Sequence, residues 1–140
     1  MEQRLSIITL GVSDLKKATE FYESKFGWKK SQASNSNISF FMLNGIYLSL
    51  FPKDELADDA TVSPEGNGFK GFTLAFNTRS KEEVDELMAS LKSQGVTIVK
   101  MPEATNWGGY SSYISDLDGH LWEIAYNPYI EIDDKGNINE

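Results

Sequence analysis

The chain predicts an α+β fold: two βαβββ modules paired around a concave, incompletely closed mixed β-sheet, with helices outside. Three observations carry this. The order strand, helix, strand, strand, strand occurs twice. Each occurrence ends in a hairpin signal, Asn44-Gly45 in the first half and Asp116-Leu117-Asp118-Gly119 in the second. Each half also holds one capped amphipathic helix that stops at a glycine. Modules of roughly 50–60 residues bury too little surface to close a core singly, so the two are expected to pack side by side.

Taken in order, Ile7 to Val12 is a β-branched run that reads as a buried strand. Ser13 and Asp14 offer N-cap side chains, and Leu15, Ala18, Phe21, Tyr22 and Phe26 fall on one helical face. Gly27 closes that helix. Trp28 to Ser31 reads as a strand and the polar stretch Gln32 to Asn37 as a turn. Ile38 to Leu43 and Ile46 to Phe51 make the first hairpin. In the adjacent rings Phe40-Phe41, strand alternation sends one to the core and one outward. Lys53 to Lys70 carries five acidic residues and the overlapping turn signals Pro64-Glu65-Gly66 and Gly66-Asn67-Gly68, so it reads as a linker or long surface loop.

The second half repeats the plan. Phe72 to Asn77 is the strand. Ser80 and Glu83 form a capping box before Val84, Leu87, Met88 and Leu91, and Gly95 ends the helix. Its Lys and Glu residues form a solvated face. Val96 to Met101 is a strand stopped by Pro102, and Tyr110 to Ser115 with His120 to Tyr126 form the second hairpin. The expected organisation is one domain over residues 1–128, with module one at 4–52, the linker at 53–70 and module two at 71–128. An acidic tail follows at 129–140, which either adds an edge hairpin around Asp134-Lys135-Gly136 or frays.

Composition narrows the chemistry. No cysteine is present, which removes disulfides, thiolate nucleophiles and cysteine-based metal sites together. A single histidine, His120, leaves little for imidazole ligation. The net charge of −8 opposes a nucleic-acid partner. No apolar run approaches about 18 residues, and Met1-Glu2-Gln3-Arg4 lacks a signal-peptide pattern. A cytoplasmic protein with neither a nucleic-acid nor a membrane partner is expected.

The segments Ile8-Thr9-Leu10-Gly11-Val12-Ser13-Asp14-Leu15, Phe21-Tyr22 and Gly27-Trp28 carry a family resemblance. So does Asp116-Leu117-Asp118-Gly119-His120-Leu121-Trp122-Glu123 in the second half. Together they resemble the vicinal oxygen chelate superfamily, which includes glyoxalase I, bleomycin-resistance proteins and extradiol dioxygenases. Trp107-Gly108-Gly109-Tyr110-Ser111 looks like a bacterial glyoxalase-like subgroup. The likeness covers residues 4–128. It implies the glyoxalase/bleomycin resistance/dioxygenase fold, a small-molecule ligand, and a homodimer whose pocket lies near the subunit contact.

In metal-dependent members of that superfamily, four side chains on the concave faces hold one divalent ion. Carried over, the first place falls on Ile7. The second falls on Leu48, or on Ser49 when the hairpins are aligned at Gly45 and Gly119. The third falls on Phe72, with Phe76 where the subgroup often keeps a histidine. Only the last is filled, by Glu123. A catalytic metal typically takes about three protein ligands, so the expectation is no metal and no cofactor, with a divalent metal as runner-up.

Glu123 sits in the apolar run Leu121 to Ala125, where it either faces solvent or serves as a general base or substrate anchor in a cavity. It is the expected catalytic residue. The expected ligand-contacting set is Trp107, Tyr110, Tyr113, Phe72, Phe76, Tyr47 and Leu48. Trp107, Tyr110 and Tyr113, around two glycines, suit a lid or pocket wall, or a packed β-edge. Residues of the kind of Tyr47, Phe72, Phe76 and Trp122 are more often core than pocket. His120 reads as a turn residue bonded to a neighbouring carboxylate or to backbone, with Asp116 and Asp118 shaping the turn.

The expected function is capture of a small organic molecule in an aromatic-lined pocket without the usual metal. Any catalysis would be a lyase- or isomerase-type proton transfer with Glu123 as base. Two alternatives stand beside it. One is a metal-dependent glyoxalase-, epimerase- or dioxygenase-type enzyme with rearranged ligands, such as Glu123 with His120. The other is a non-catalytic resistance protein that sequesters a drug.

Overall fold

The computed structural model describes residues 1–139, which fall into two compact units divided between Lys70 and Gly71. Glu140, the last residue of the expected acidic tail, lies outside the described residues. The fold is mixed α+β, with two open sheets of three and four strands and few helices, as expected.

In the first unit, β1 (Ile7–Val12) runs parallel to β3 (Tyr47–Pro52), and β2 (Ser39–Met42) pairs antiparallel on the other side of β3. The helix α1 (Leu15–Lys25) begins at Asp14, whose Oδ1 accepts the Lys17 amide at 3.0 Å, an N-cap worth about 1 kcal/mol. The Tyr22 ring meets Phe41 at 5.8 Å, which identifies the sheet face under α1. Leu10, Val12, Leu48 and Leu50 share that face and are all buried. Phe41 is therefore core, and Phe40 points the other way against Tyr47, with ring centroids 5.4 Å apart. The Asn44-Gly45 turn closes as expected, Leu43 N–H donating to the Ile46 carbonyl at 2.8 Å.

Two expectations fail in this unit. Trp28 to Ser31 forms only a single bridge, Lys30 to Phe41, rather than a strand. The following polar side chains compete for the ladder: Ser34 Oγ accepts the Phe40 amide at 2.8 Å, and Asn35 Oδ1 accepts those of Asn37 and Ile38. The start of the expected linker is a helix, α2 (Lys53–Asp59). Asp54 and Glu55 complement its positive N-terminal end, while Ala57 is buried. Gly11 admits it, since a Cβ there would stand 3.2 Å from Lys53 Cα. The helix ends with Thr61 at φ +57° and the Val62 amide on the Ala57 carbonyl at 3.0 Å.

In the second unit the strand order is β4 (Leu74–Thr78), β7 (Leu121–Tyr126), β6 (Tyr110–Ser115), β5 (Thr97–Ala104). Only the β4–β7 pair is parallel. The helix α3 (Lys81–Ser93) starts with the expected cap, Glu83 N–H on Ser80 Oγ at 3.1 Å, and Glu83 Oε2 reaches back to the Arg79 amide at 2.8 Å. It buries Val84, Met88 and Leu91. Gly95, at φ +79°, ends it while the Val96 amide bonds the Leu91 carbonyl.

Here too the strands differ from expectation. β4 begins two residues later than Phe72. Pro102 does not stop β5, because β5 is the sheet edge and its register shifts on either side of Lys100. The tail forms the hairpin β8 (Glu131–Ile132) and β9 (Ile138–Asn139). Arg79 Nη2 anchors it by donating to the Asp133 carbonyl at 2.6 Å. Among the described residues, no helix is long and apolar enough to cross a membrane.

Candidate functional site

The two faces of the four-stranded sheet separate the expected site residues. Tyr110 Oη donates to Asp85 Oδ1 on α3 at 2.8 Å, so Tyr110 marks the helix side. That bond, with the nearby Asp85 charge, holds the phenol's pKa above its ordinary value. Register places Ser112, Ile114, Trp122 and Ile124 on this side, all buried. Glu123 and Tyr113 are direct cross-strand partners on the opposite face.

Across that opposite face the register lines up Ala75, Glu123, Tyr113 and Lys100 in one row. The next row holds Asn77, Ala125, Ser111 and Glu103. Ser111 Oγ donates diagonally to Glu123 Oε1 at 2.7 Å, and Lys100 Nζ pairs with Glu103 Oε1 at 2.9 Å. A carboxylate offers about four acceptor positions and Ser111 uses one, so Glu123 is oriented without being saturated. Carboxylate, phenol, hydroxyl and ammonium therefore share one face. The sequence reading missed Ser111 and Lys100. Ser111 follows from strand pairing once Glu123 is fixed. Lys100 required the shift in β5, which no residue pattern announces.

The other expected residues scatter. Trp107 lies in the loop between β5 and β6, its indole packed on Gly109. Phe76 pairs with Ile124 on the helix side, half exposed at the sheet edge. Phe72 precedes β4 and lies beside His120, ring centroids 6.4 Å apart. Leu48, expected to touch ligand, is fully buried under α1 in the first unit's core. Ser49 is the residue of that pair on the other face, where its hydroxyl lies 2.6 Å from Thr9 Oγ1. Tyr47, half-buried, packs against Phe40 on that same face. The densest aromatic cluster is a core one, Phe21, Tyr22, Phe26, Trp28 and Phe41.

His120 is the turn residue it was expected to be. Its Nδ1 lies 2.7 Å from Oδ2 of buried Asp116, whose Oδ1 accepts the amides of Asp118 and His120. This dyad shapes the β6–β7 hairpin and thereby holds the strand that bears Glu123.

The family's metal places fall on side chains that, with one exception, are poor metal ligands. Ile7, Ser49 and Phe72 supply neither imidazole nor carboxylate, and Glu123 stands alone among them. Among the described residues no group of three or more His, Cys, Asp or Glu could hold a metal ion. The residues present do not fit the four-ligand arrangement.

Comparison with known proteins adds independent findings. The family model for the Glyoxalase/Bleomycin resistance protein/Dioxygenase superfamily matches residues 4–124. The chain is 32% identical over 126 residues to the fosfomycin resistance protein FosX of Listeria monocytogenes serovar 1/2a, covering 86% of each. It is 31% identical over 123 residues to the metallothiol transferase FosB of Lysinibacillus sphaericus, covering 87% of this chain and 81% of that one. A glyoxalase-related enzyme from Fulvimarina pelagi superposes with a TM-score of 0.88 at 34% identity, covering 99% of both chains. These relatives correct the expectation of no cofactor. The FosB relative is named for a metal, and the likeness points towards a metal rather than none.

Proposed function

The chain belongs to the glyoxalase/bleomycin resistance protein/dioxygenase superfamily, and from that premise we propose that it is a resistance-type enzyme acting on a small organic molecule, with fosfomycin as the first substrate to test. The observation that carries this reading is Glu123, held by Ser111 on the same sheet face as Tyr113 and Lys100. Support comes from the FosX and FosB relatives, whose names join antibiotic resistance to metal-assisted group transfer.

A divalent metal, to which the FosB relative's name points, would find in Glu123 the one family ligand place that this chain fills. The chain's own residues define the rest of the site. Ser111 fixes the carboxylate's orientation. Lys100, on exchanging its Glu103 partner, would supply a cation for an anionic substrate group such as a phosphonate, and Tyr113 supplies a hydroxyl between the two. Large apolar side chains left exposed in the second unit, Phe72 and Phe76 among them, suit a homodimer contact, which light scattering measures directly.

Turnover is tested by following fosfomycin with ³¹P NMR, with and without Mn²⁺ or Mg²⁺ and with water or a thiol as co-substrate. The expected result is metal-stimulated conversion, lost by roughly 10²-fold or more in Glu123→Gln. Elemental analysis of the purified protein should show a divalent metal that falls away in Glu123→Ala. Stoichiometric binding without conversion would assign the protein to drug capture. Absence of both binding and conversion removes fosfomycin as the substrate.

A further inference from the structure

We propose that Trp107 is a movable gate beside Glu123, with Gly109 as its seat. The strand alternation of β6 points Ser111, Tyr113 and Ser115 to the Glu123 face. Continued back by two residues, it points position 109 to that face as well. Residue 109 is glycine, and the space its Cβ would take is filled by the six-membered ring of the Trp107 indole. The indole thus stands in the Ser111 file, one side-chain step from the hydroxyl that holds Glu123.

Several features make this seat releasable. No hydrogen bond holds the indole among the described residues, and the Trp107 residue is 43% exposed. The loop is pinned at its two ends. Thr105 N–H donates to the Gly109 carbonyl at 3.0 Å, and Gly109 N–H donates to Thr105 Oγ1 at 2.9 Å. Asn106, Trp107 and Gly108 lie between the pins, where Gly108 N–H closes the turn on the Thr105 carbonyl at 3.3 Å and leaves the indole itself unbonded. Gly108 has φ +95°, which gives the chain freedom beside the indole. Its Cα faces the Tyr129 hydroxyl, where a Cβ would stand 3.4 Å away. Seated, the indole covers the end of the Ser111–Glu123 face. Swung out, it opens that face, and a bound small molecule would be covered by its return.

The gate rests on the proposed site for its purpose and on the Trp107–Gly109 contact for its motion, so the two are testable separately. The full chain is labelled with 5-fluorotryptophan, and the three ¹⁹F resonances are assigned with Trp107→Phe, Trp28 and Trp122 serving as packed references. The expected result is exchange broadening, or two interconverting lines, at Trp107 only. In Gly109→Ala the seated line should disappear while the Trp28 and Trp122 lines stay in place. A single sharp Trp107 line in the wild type at all temperatures below unfolding would overturn the gate. So would a Trp107 line that Gly109→Ala does not move. Exchange at Trp107 in a protein that neither binds nor converts fosfomycin supports the gate and counts only against that substrate.

Discussion

The first unit places Ser49 where the second places Glu123. Each is the central-strand residue one step past a helix-facing core residue, Leu48 and Trp122 respectively, on the sheet face away from the helix. Each has an aromatic cross-strand partner, Phe40 or Tyr113. Each makes one short bond to a hydroxyl, Ser49 to Thr9 at 2.6 Å and Glu123 to Ser111 at 2.7 Å. The duplicated framework has kept a polar position in both sheets and placed a charge in only one. Fold and chemistry are thus carried at different residues: alternate positions hold the helix down, and their neighbours are free to differ.

Exchanging the two positions breaks the comparison most severely in one direction. Ser49 is fully buried, and Ser49→Glu leaves a carboxylate with little beyond the Thr9 hydroxyl to receive it. The expected loss is about 3 kcal/mol or more, read from the denaturant midpoint. The reverse change, Glu123→Ser, should leave the fold standing, with stability within about 1 kcal/mol, because two hydroxyls already coexist at this place in the other sheet. Its expected cost is in turnover, roughly 10²-fold or more in kcat/KM. Equal destabilisation by both exchanges would mean that the two positions are not equivalent.

Helix endings sharpen the comparison at a smaller scale. Both α2 and α3 close by bonding the amide beyond a left-handed residue to a carbonyl one turn back. In α3 that residue is Gly95, and in α2 it is Thr61, whose branched side chain is strained at φ +57°. Thr61→Gly should gain about 0.5–1 kcal/mol in thermal or chemical unfolding, whereas Gly95→Thr should lose at least as much. The smallest expected effect concerns the C-terminal hairpin, which has no counterpart in the first unit. Asp133 accepts hydrogen bonds from the Asn137 side chain and backbone, which lower its pKa below the ordinary value. A lowered folded-state pKa means that the stabilisation is present above the unfolded value and lost as pH falls through the folded one. Amide shifts of Lys135 to Asn137 should therefore hold through the ordinary carboxylate range and move only as pH falls below it.

Much of this was readable from the residues. The capped helices, the Asn44-Gly45 and Asp116–Gly119 turns, and the Asp116–His120 pairing each follow from local chemistry. Glu123 was found through the family resemblance, as the one ligand place this chain fills, while the apolar run alone left its face open. What escaped depends on partners distant in the chain. Leu48 and Ser49 could not be told apart until the register fixed their faces. Thr9-Leu10 and Thr73-Leu74 look like a repeat, yet the register matches Thr9 to Ala75, a slip of two residues. A further two residues make α3 13 residues long against 11 for α1. α2 was hidden because its acidic sequence reads as solvated loop and its packing needs the bare Cα of Gly11.

Pro102 has a consequence for how the protein behaves in a crowded solution. β5 is an edge strand with Val99 and Met101 exposed, the kind of margin onto which another chain's strand can zip. A proline in that margin removes an amide donor, and the register shifts around Lys100 keep the ladder from running straight. The irregularity that puts Lys100 on the Glu123 face therefore also leaves a poor template for aggregation. Straightening this strand to improve its regularity would invite fibres.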